Sequence, residues 1–206
     1  MTINSNNILA TTTVPTPPVT PAPDPIAGVQ LLGTIAVTKA VKQDAPAMAT
    51  IGGATFTATF GHSVSKEDLE EFLTTTYSAE AVAAEFAEPK KTWLAAKTSG
   101  GKVVGIAQLL RGATHSSIDA PANEVAEMQK VYVDASVHGQ GIGSKLISAV
   151  EQLAREEGLT QLWLTVWEEN LKAQKLYNRL GYKKTGEIDF ATGTCIQTDH
   201  VLVKHL

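Results

Sequence analysis

The run from Glu127 to Gly181 leaves this chain few ways to fold. Its first part, EMQKVYVDASVHGQGIGSKLISAVEQLAREEG, sets Gly139, Gly141 and Gly143 between two dissimilar segments. Val125 to Val133 carries the β-formers Val131, Tyr132 and Val133 and gives way to Asp134-Ala135-Ser136, which predicts a strand. Beyond the glycines, Ile142, Leu146, Val150 and Leu153 recur at helical spacing until Gly158 stops the run. A strand therefore turns into a helix through a glycine loop. The first N–H groups of a helix have no partner within it, and the helix dipole is positive at that end. Such a loop suits a phosphate, and glycine lets the backbone approach the anion without a Cβ in the way.

A second pattern follows. Gln161 to Trp167 (QLWLTVW) predicts a strand, and Glu168-Glu169-Asn170 a short connection with Asn170 as N-cap. Ala173, Leu176, Tyr177 and Leu180 then share one helical face, closed by Gly181.

The loop is not a Walker loop, which needs G-x-x-x-x-G-K-[ST]. Nor is it a dinucleotide loop, because its third glycine comes one residue early for G-x-G-x-x-G. His138-Gly139-Gln140-Gly141-Ile142-Gly143 is instead similar to [QR]-x-x-G-x-[GA], the pyrophosphate loop of the GNAT superfamily of acyl-CoA N-acyltransferases. His138 departs from it, standing where Gln or Arg is usual. Asn170-x-x-Ala173-x-x-x-Tyr177-x-x-x-Gly181-Tyr182 resembles a second motif of the same superfamily. A plain tight turn accounts for the glycines alone; it does not account for both motifs in order.

Composition sets outer bounds. The chain has 206 residues, enough for one domain with a real core, and 43% apolar with 18% charged residues is ordinary for a globular protein. A net charge of −4 argues against nucleic acid as the main partner. The single cysteine, Cys195, forms no intrachain disulfide and fits a reducing, cytoplasmic compartment. It reads as an inert strand residue. No run reaches the roughly 18 apolar residues of a membrane helix, and no His, Cys, Asp and Glu cluster has metal-ligand spacing.

Residues 1–28 are a Pro/Thr-rich extension holding six of the nine prolines and no Lys or Arg. They lack the features of a signal peptide or presequence and read as a polyproline-like or disordered tail. Residues 29–206 read as the domain. Ile35 to Val41 predicts a first strand, and Asp44 a cap for a helix with Pro46 in its first turn. That helix carries a Met48, Gly52, Phe56, Phe60 stripe. Ser65-x-x-Asp68 opens a second helix and Ser78 a third, Ala79 to Glu88, ended by Pro89. A hairpin around Ser99-Gly100-Gly101, a polar loop to Asn123, and final strands Tyr182–Ile188 and Asp199–His205 complete the order βααα-ββ-βαβαββ. This is an α/β class. The resemblance implies the GNAT fold, a mixed twisted sheet of about six to seven strands with helices on both faces.

The resemblance also implies a reaction: direct transfer of acetyl from acetyl-CoA to the primary amine of a small molecule, in a homodimer. The attacking amine must be neutral, so a base is needed, and the departing thiolate benefits from a proton donor. Glu127 matches an acidic position that serves as base, and Tyr177 the acid; a solvated carboxylate and a core ring are their plain alternatives. Backbone groups of Val131, Tyr132 and Val133 would meet the acetyl-pantetheine arm, with one N–H polarising the thioester carbonyl. His138, Gly139, Gln140, Gly141, Ile142, Gly143 and Ser144 would take the pyrophosphate, and Asn170 and Ala173 the arm. Phe60, His62, Gln129, Trp167 and Asp199 would border the acceptor, while Trp163 is core. The segments Leu162–Asn170, Tyr177–Gly186 and Gln197–Asp199 further resemble bacterial polyamine-type (spermine/spermidine) acetyltransferases. Rival acceptors are an amino sugar, an amino acid or a protein amine. The rival class is a CoA-binding protein without catalysis.

Overall fold

Alternation along the strands sorts the apolar side chains onto two faces of one sheet. The structure, a computed structural model, describes residues 33–193 and 195–206. The N-terminal extension and the Cys195 side chain lie outside that description. Among the described residues seven strands form the sheet: β1 (Ala36–Lys39), β2 (Lys91–Lys97), β3 (Val103–Arg111), β4 (Val125–Val133), β5 (Gln161–Trp167), β6 (Lys183–Thr192) and β7 (Cys195–His205). Their order is β1-β2-β3-β4-β5-β7-β6. Neighbours are antiparallel except β4 and β5, which run parallel, as a crossover through a helix requires.

Among the described residues five helices cover the sheet: α1 (Ala45–Phe60), α2 (Lys66–Thr76), α3 (Ala79–Ala84), α4 (Ile142–Glu156) and α5 (Leu171–Arg179). Leu94, Ala126, Met128, Leu162 and Leu164 pack with Ile142, Leu146 and Val150 of α4 in the larger core. Trp93, Ala95 and Ile106 turn the other way, against Met48 and Ile51 of α1 and Val82 of α3. The expected fold class is borne out. Among the described residues no helix is long and apolar enough to cross a membrane, and no group of three or more His, Cys, Asp and Glu is placed to hold a metal.

The local differences have physical reasons. The third helix stops at Ala84, and a 3-10 turn follows over Glu85–Ala87. Glu88 precedes Pro89 and is extended (φ −84°, ψ 113°), because the proline ring excludes the helical region there. Asp44 does not cap α1: its backbone is already helical (φ −79°, ψ −15°). Its carboxylate accepts from the Val41 N–H at 2.9 Å and pairs with Lys97 at 2.7 Å. The first strand is shorter than Ile35–Val41, and the last hairpin is longer, its arms running to Thr192 and from Cys195 around Gly193. Glycines make α1 poor by propensity, yet Gly52 has a use: a Cβ there would lie 2.5 Å from the Tyr77 ring.

Candidate active site

Two strands that begin side by side and then part create the main opening. The parallel register of β4 and β5 runs from Val125/Gln161 to Glu127/Trp163 and ends there. Just beyond, β4 bulges. Tyr132 pairs with Ile106 and Gln129 with Gln108, so Lys130 and Val131 together face Ala107. Lys130 has φ 54°, the only positive φ outside glycine among the described residues. A bulge bends its strand and sharpens the local twist, which carries β4 away from β5. The result is a cleft of about 590 Å³ between them.

One wall carries Glu127 and Gln129, which alternate with the buried Ala126 and Met128 and so face away from α4. The Gln129 side-chain amide donates to Glu127 at 2.7 Å. Burial pushes the Glu127 carboxyl above its ordinary range, and the Gln129 hydrogen bond offsets part of that shift. Across the opening stand Trp167 at the end of β5, then Asn170, Ala173 and Tyr177. The Asn170 side chain accepts from the Ala173 N–H at 3.1 Å, which makes it the N-cap of α5. Tyr177 packs edge-on to Tyr182 at 5.8 Å, and burial, with the neighbouring Tyr132, raises its phenol well above the usual range. Its proton is held at any neutral pH.

The far end is aromatic and acidic. Phe60 lies 5.4 Å from Trp167; the exposed His62 ring is 5.9 Å from Trp167 but is not among the residues lining the cleft. Asp199 pairs with Trp167 across β5 and β7. Its Oδ1 is buried and has no hydrogen-bond partner among the described residues. Burial raises its carboxyl, eased by a hydrogen bond from Thr165 and the charge of His200. Trp163 is 4% exposed, with Nε1–H donating to the Ala113 carbonyl at 2.9 Å, as a core residue should.

The glycine loop lies at the end of β4, outside the lining of this cleft. Gly139 (φ 81°) and Gly141 (φ 74°) are left-handed, and a Cβ on either would meet nothing within 4 Å. The loop is therefore open, and its glycines serve the backbone rather than packing. Gly141 is the N-cap of α4 and Ile142 its first residue. Val133 touches the loop twice: its side chain lies 3.9 Å from where a Gly143 Cβ would be, and its carbonyl accepts from His138 Nε2–H at 2.9 Å. His138 thus ties the loop back to β4. Gln140 is exposed and Ser144 half-buried beside it.

The Acetyltransferase (GNAT) family model matches residues 58–182, more than half of the chain. This chain belongs to the GNAT acetyltransferase family. It is 30% identical to an uncharacterized N-acetyltransferase in the pepI 3′ region of Lactobacillus delbrueckii subsp. lactis, over 84% of this chain and 98% of the relative. It is also 30% identical to the spermine/spermidine N(1)-acetyltransferase of Bacillus subtilis, but over 38% of this chain and 49% of that one. Among solved structures, the fold is shared with the PaiA N-acetyltransferase of Thermoplasma acidophilum in complex with coenzyme A. The TM-score is 0.64 at 19% identity, with 84% of this chain and 99% of that one covered.

Several lining residues escaped the sequence. Tyr77 donates to the Tyr132 hydroxyl at 3.0 Å, and Phe72 and Phe190 meet edge to face at 6.2 Å at the aromatic end of the cleft. Phe72 reads as an ordinary helix-core residue, and Asp189 and Phe190 lie past the expected end of β6. The alternation of β6 continuing through Phe190 was the one signal available.

Proposed function

We propose that this GNAT acetyltransferase moves acetyl from acetyl-CoA directly to the primary amine of a small cationic molecule. The observation that carries the reading is a half-buried carboxylate and a half-buried phenol, Glu127 and Tyr177, lining one cleft where β4 and β5 part. The groups present fit the cosubstrate. Beyond Glu127, β4 has an edge with no β5 partner in register, and an extended arm can take the place of the missing strand. The open glycine loop at the start of α4 suits a pyrophosphate.

In this reading Val131, Tyr132 and Val133 offer backbone groups to the pantetheine arm. The amides of Gly139, Gly141, Ile142 and Gly143 hold the diphosphate, flanked by Gln140 and Ser144 and braced by His138. The Asn170 cap uses Oδ1, which leaves the Nδ2–H groups for the arm beside Ala173. Bound acetyl-CoA supplies the thioester whose C–S bond breaks as the N–C bond forms. Glu127 accepts the proton that the amine must lose, and its raised pKa brings its basicity closer to neutrality. Tyr177 holds a proton for the departing sulfur.

The acceptor end supports a cation. Glu127, Asp189 and Asp199 line the cleft with Phe60, Phe72 and Trp167, and the unpartnered Asp199 Oδ1 is satisfied by an ammonium. A polyamine meets these demands, and the partial likeness to a spermine/spermidine acetyltransferase agrees with it. A homodimer is the assembly that the family likeness favours.

Calorimetric titration with acetyl-CoA, followed by a free-thiol assay with spermidine, lysine, glucosamine and an N-terminal peptide amine, tests the reading. Micromolar binding with thiol release on spermidine supports it. Release on another amine moves the acceptor class, and the absence of binding removes the cosubstrate.

A further inference from the structure

Lys130 sits where glycine would be free of strain. At φ 54° a side chain crowds its own backbone, and of the residues that bear one, Asn and Asp tolerate the region best. What lysine adds is an ammonium, and the structure uses it. Nζ donates to Glu85 Oε1 at 2.8 Å, with both side chains less than one-fifth exposed. The same ammonium lies 5.1 Å from the Trp93 ring centre and 5.7 Å from that of Tyr77. Glu85 is itself fixed. Its Oε2 accepts from the fully buried Gln108 at 2.7 Å, and Lys91 stands 3.3 Å from Oε1. Glu85 lies on the 3-10 turn after α3, and Gln108 on β3 is the cross-strand partner of Gln129. The bulge residue is therefore tied to groups on two elements behind the cleft.

The consequence concerns both substrates. Glu127 and Gln129 lie on one side of Lys130, and Val131, Tyr132 and Val133 on the other. Tyr132 in turn meets Tyr77, against which the ammonium rests. We propose that the Lys130–Glu85 ion pair is a latch that holds the β4 bulge. Lys130 is then a positioning residue: it touches no reacting atom, and it fixes the angle at which the base and the strand edge face the cleft. The effect on acetyl-CoA rests on the cosubstrate reading above; the effect on the strand does not.

The test is a double-mutant cycle read by amide hydrogen exchange on the free protein. Lys130→Asn keeps a residue that tolerates positive φ and removes the ammonium; Glu85→Gln removes the charge that receives it. Each single variant is expected to speed exchange over residues 129–133 about tenfold, the double variant no further, and Lys130→Arg to restore protection. Additive effects, or unchanged exchange in Lys130→Asn, would overturn the latch. Calorimetry with acetyl-CoA on the same four proteins is expected to show affinity weakened about tenfold in both single variants, with no further loss in the double. Wild-type protein that fails to bind acetyl-CoA rejects the cosubstrate reading, while the exchange data still decide the latch.

Discussion

The side-chain amide of Gln129 donates to the carboxylate of Glu127 at 2.7 Å, on the face of β4 that looks into the cleft. The two act in opposite senses on one proton: burial raises the Glu127 carboxyl, and the Gln129 bond lowers it by favouring the anion. As the proposed base, Glu127 works only when ionised. The acid limb of kcat/KM is therefore expected above the usual Glu range, and Gln129→Leu should move it to still higher pH. Glu127→Gln should lower kcat/KM on the order of 100-fold and abolish that limb. A pH–rate profile of the three proteins checks this; an unmoved limb in Gln129→Leu assigns the titration to another group.

The same burial has a price in stability with a definite sign. The folded-state pKa of Glu127 is raised, so the folded form binds the proton more tightly than the unfolded chain. Relative stability is present at low pH, where both forms are protonated, and is lost as pH rises through the folded value. Glu127→Gln is thus expected to melt higher than wild type under alkaline conditions, with the difference vanishing in acid. Thermal melts across pH read this without any substrate.

Tyr177→Phe keeps the ring that packs on Tyr182 and removes the proton. Acetyl-CoA affinity should be unchanged, while kcat falls on the order of 10- to 100-fold. Full turnover in this variant would remove the assigned acid and favour a binding protein or a water-assisted departure.

Asp199→Asn replaces the carboxylate whose Oδ1 lies buried without a partner among the described residues. With spermidine as acceptor, KM should rise by about 1–2 kcal/mol in free-energy terms, while the acetyl-CoA dissociation constant holds. An equal loss for a neutral amine of the same length would assign Asp199 to folding rather than to charge recognition.

Adjacent glycines in α1 should respond with opposite signs. Gly53→Ala meets ordinary contacts at 3.6 Å from Leu73 and Tyr77, and the helix should gain about 0.5–1 kcal/mol. Gly52→Ala drives its Cβ to 2.5 Å from the Tyr77 ring. It should destabilise despite its better propensity and weaken the Tyr77–Tyr132 hydrogen bond. Denaturant melts of the pair decide the matter.

Local chemistry made much of this protein readable from its residues. Gly139 and Gly141 need left-handed backbone, Asn170 caps a helix, and Gly158 and Gly181 end helices with positive φ; each effect acts within a few residues and leaves a pattern in the chain. Alternation likewise put Glu127 and Gln129 on one face of β4, away from Met128. The strand order, the bulge at Lys130 and the parting of β4 from β5 depend on which strands pair and where their counts differ, and no short window of sequence contains that comparison. The aromatic end of the cleft was hidden for the same reason. Phe72, Tyr77 and Phe190 lie on separate segments of the chain, and only packing the last hairpin against α2, and α2 against α1, makes them one wall. Local backbone preference therefore determined the loop, the caps at Ser65, Ser78 and Asn170, and the order of elements. Long-range pairing, whose energy is shared among residues far apart in the chain, decided the cleft and the electrostatics inside it.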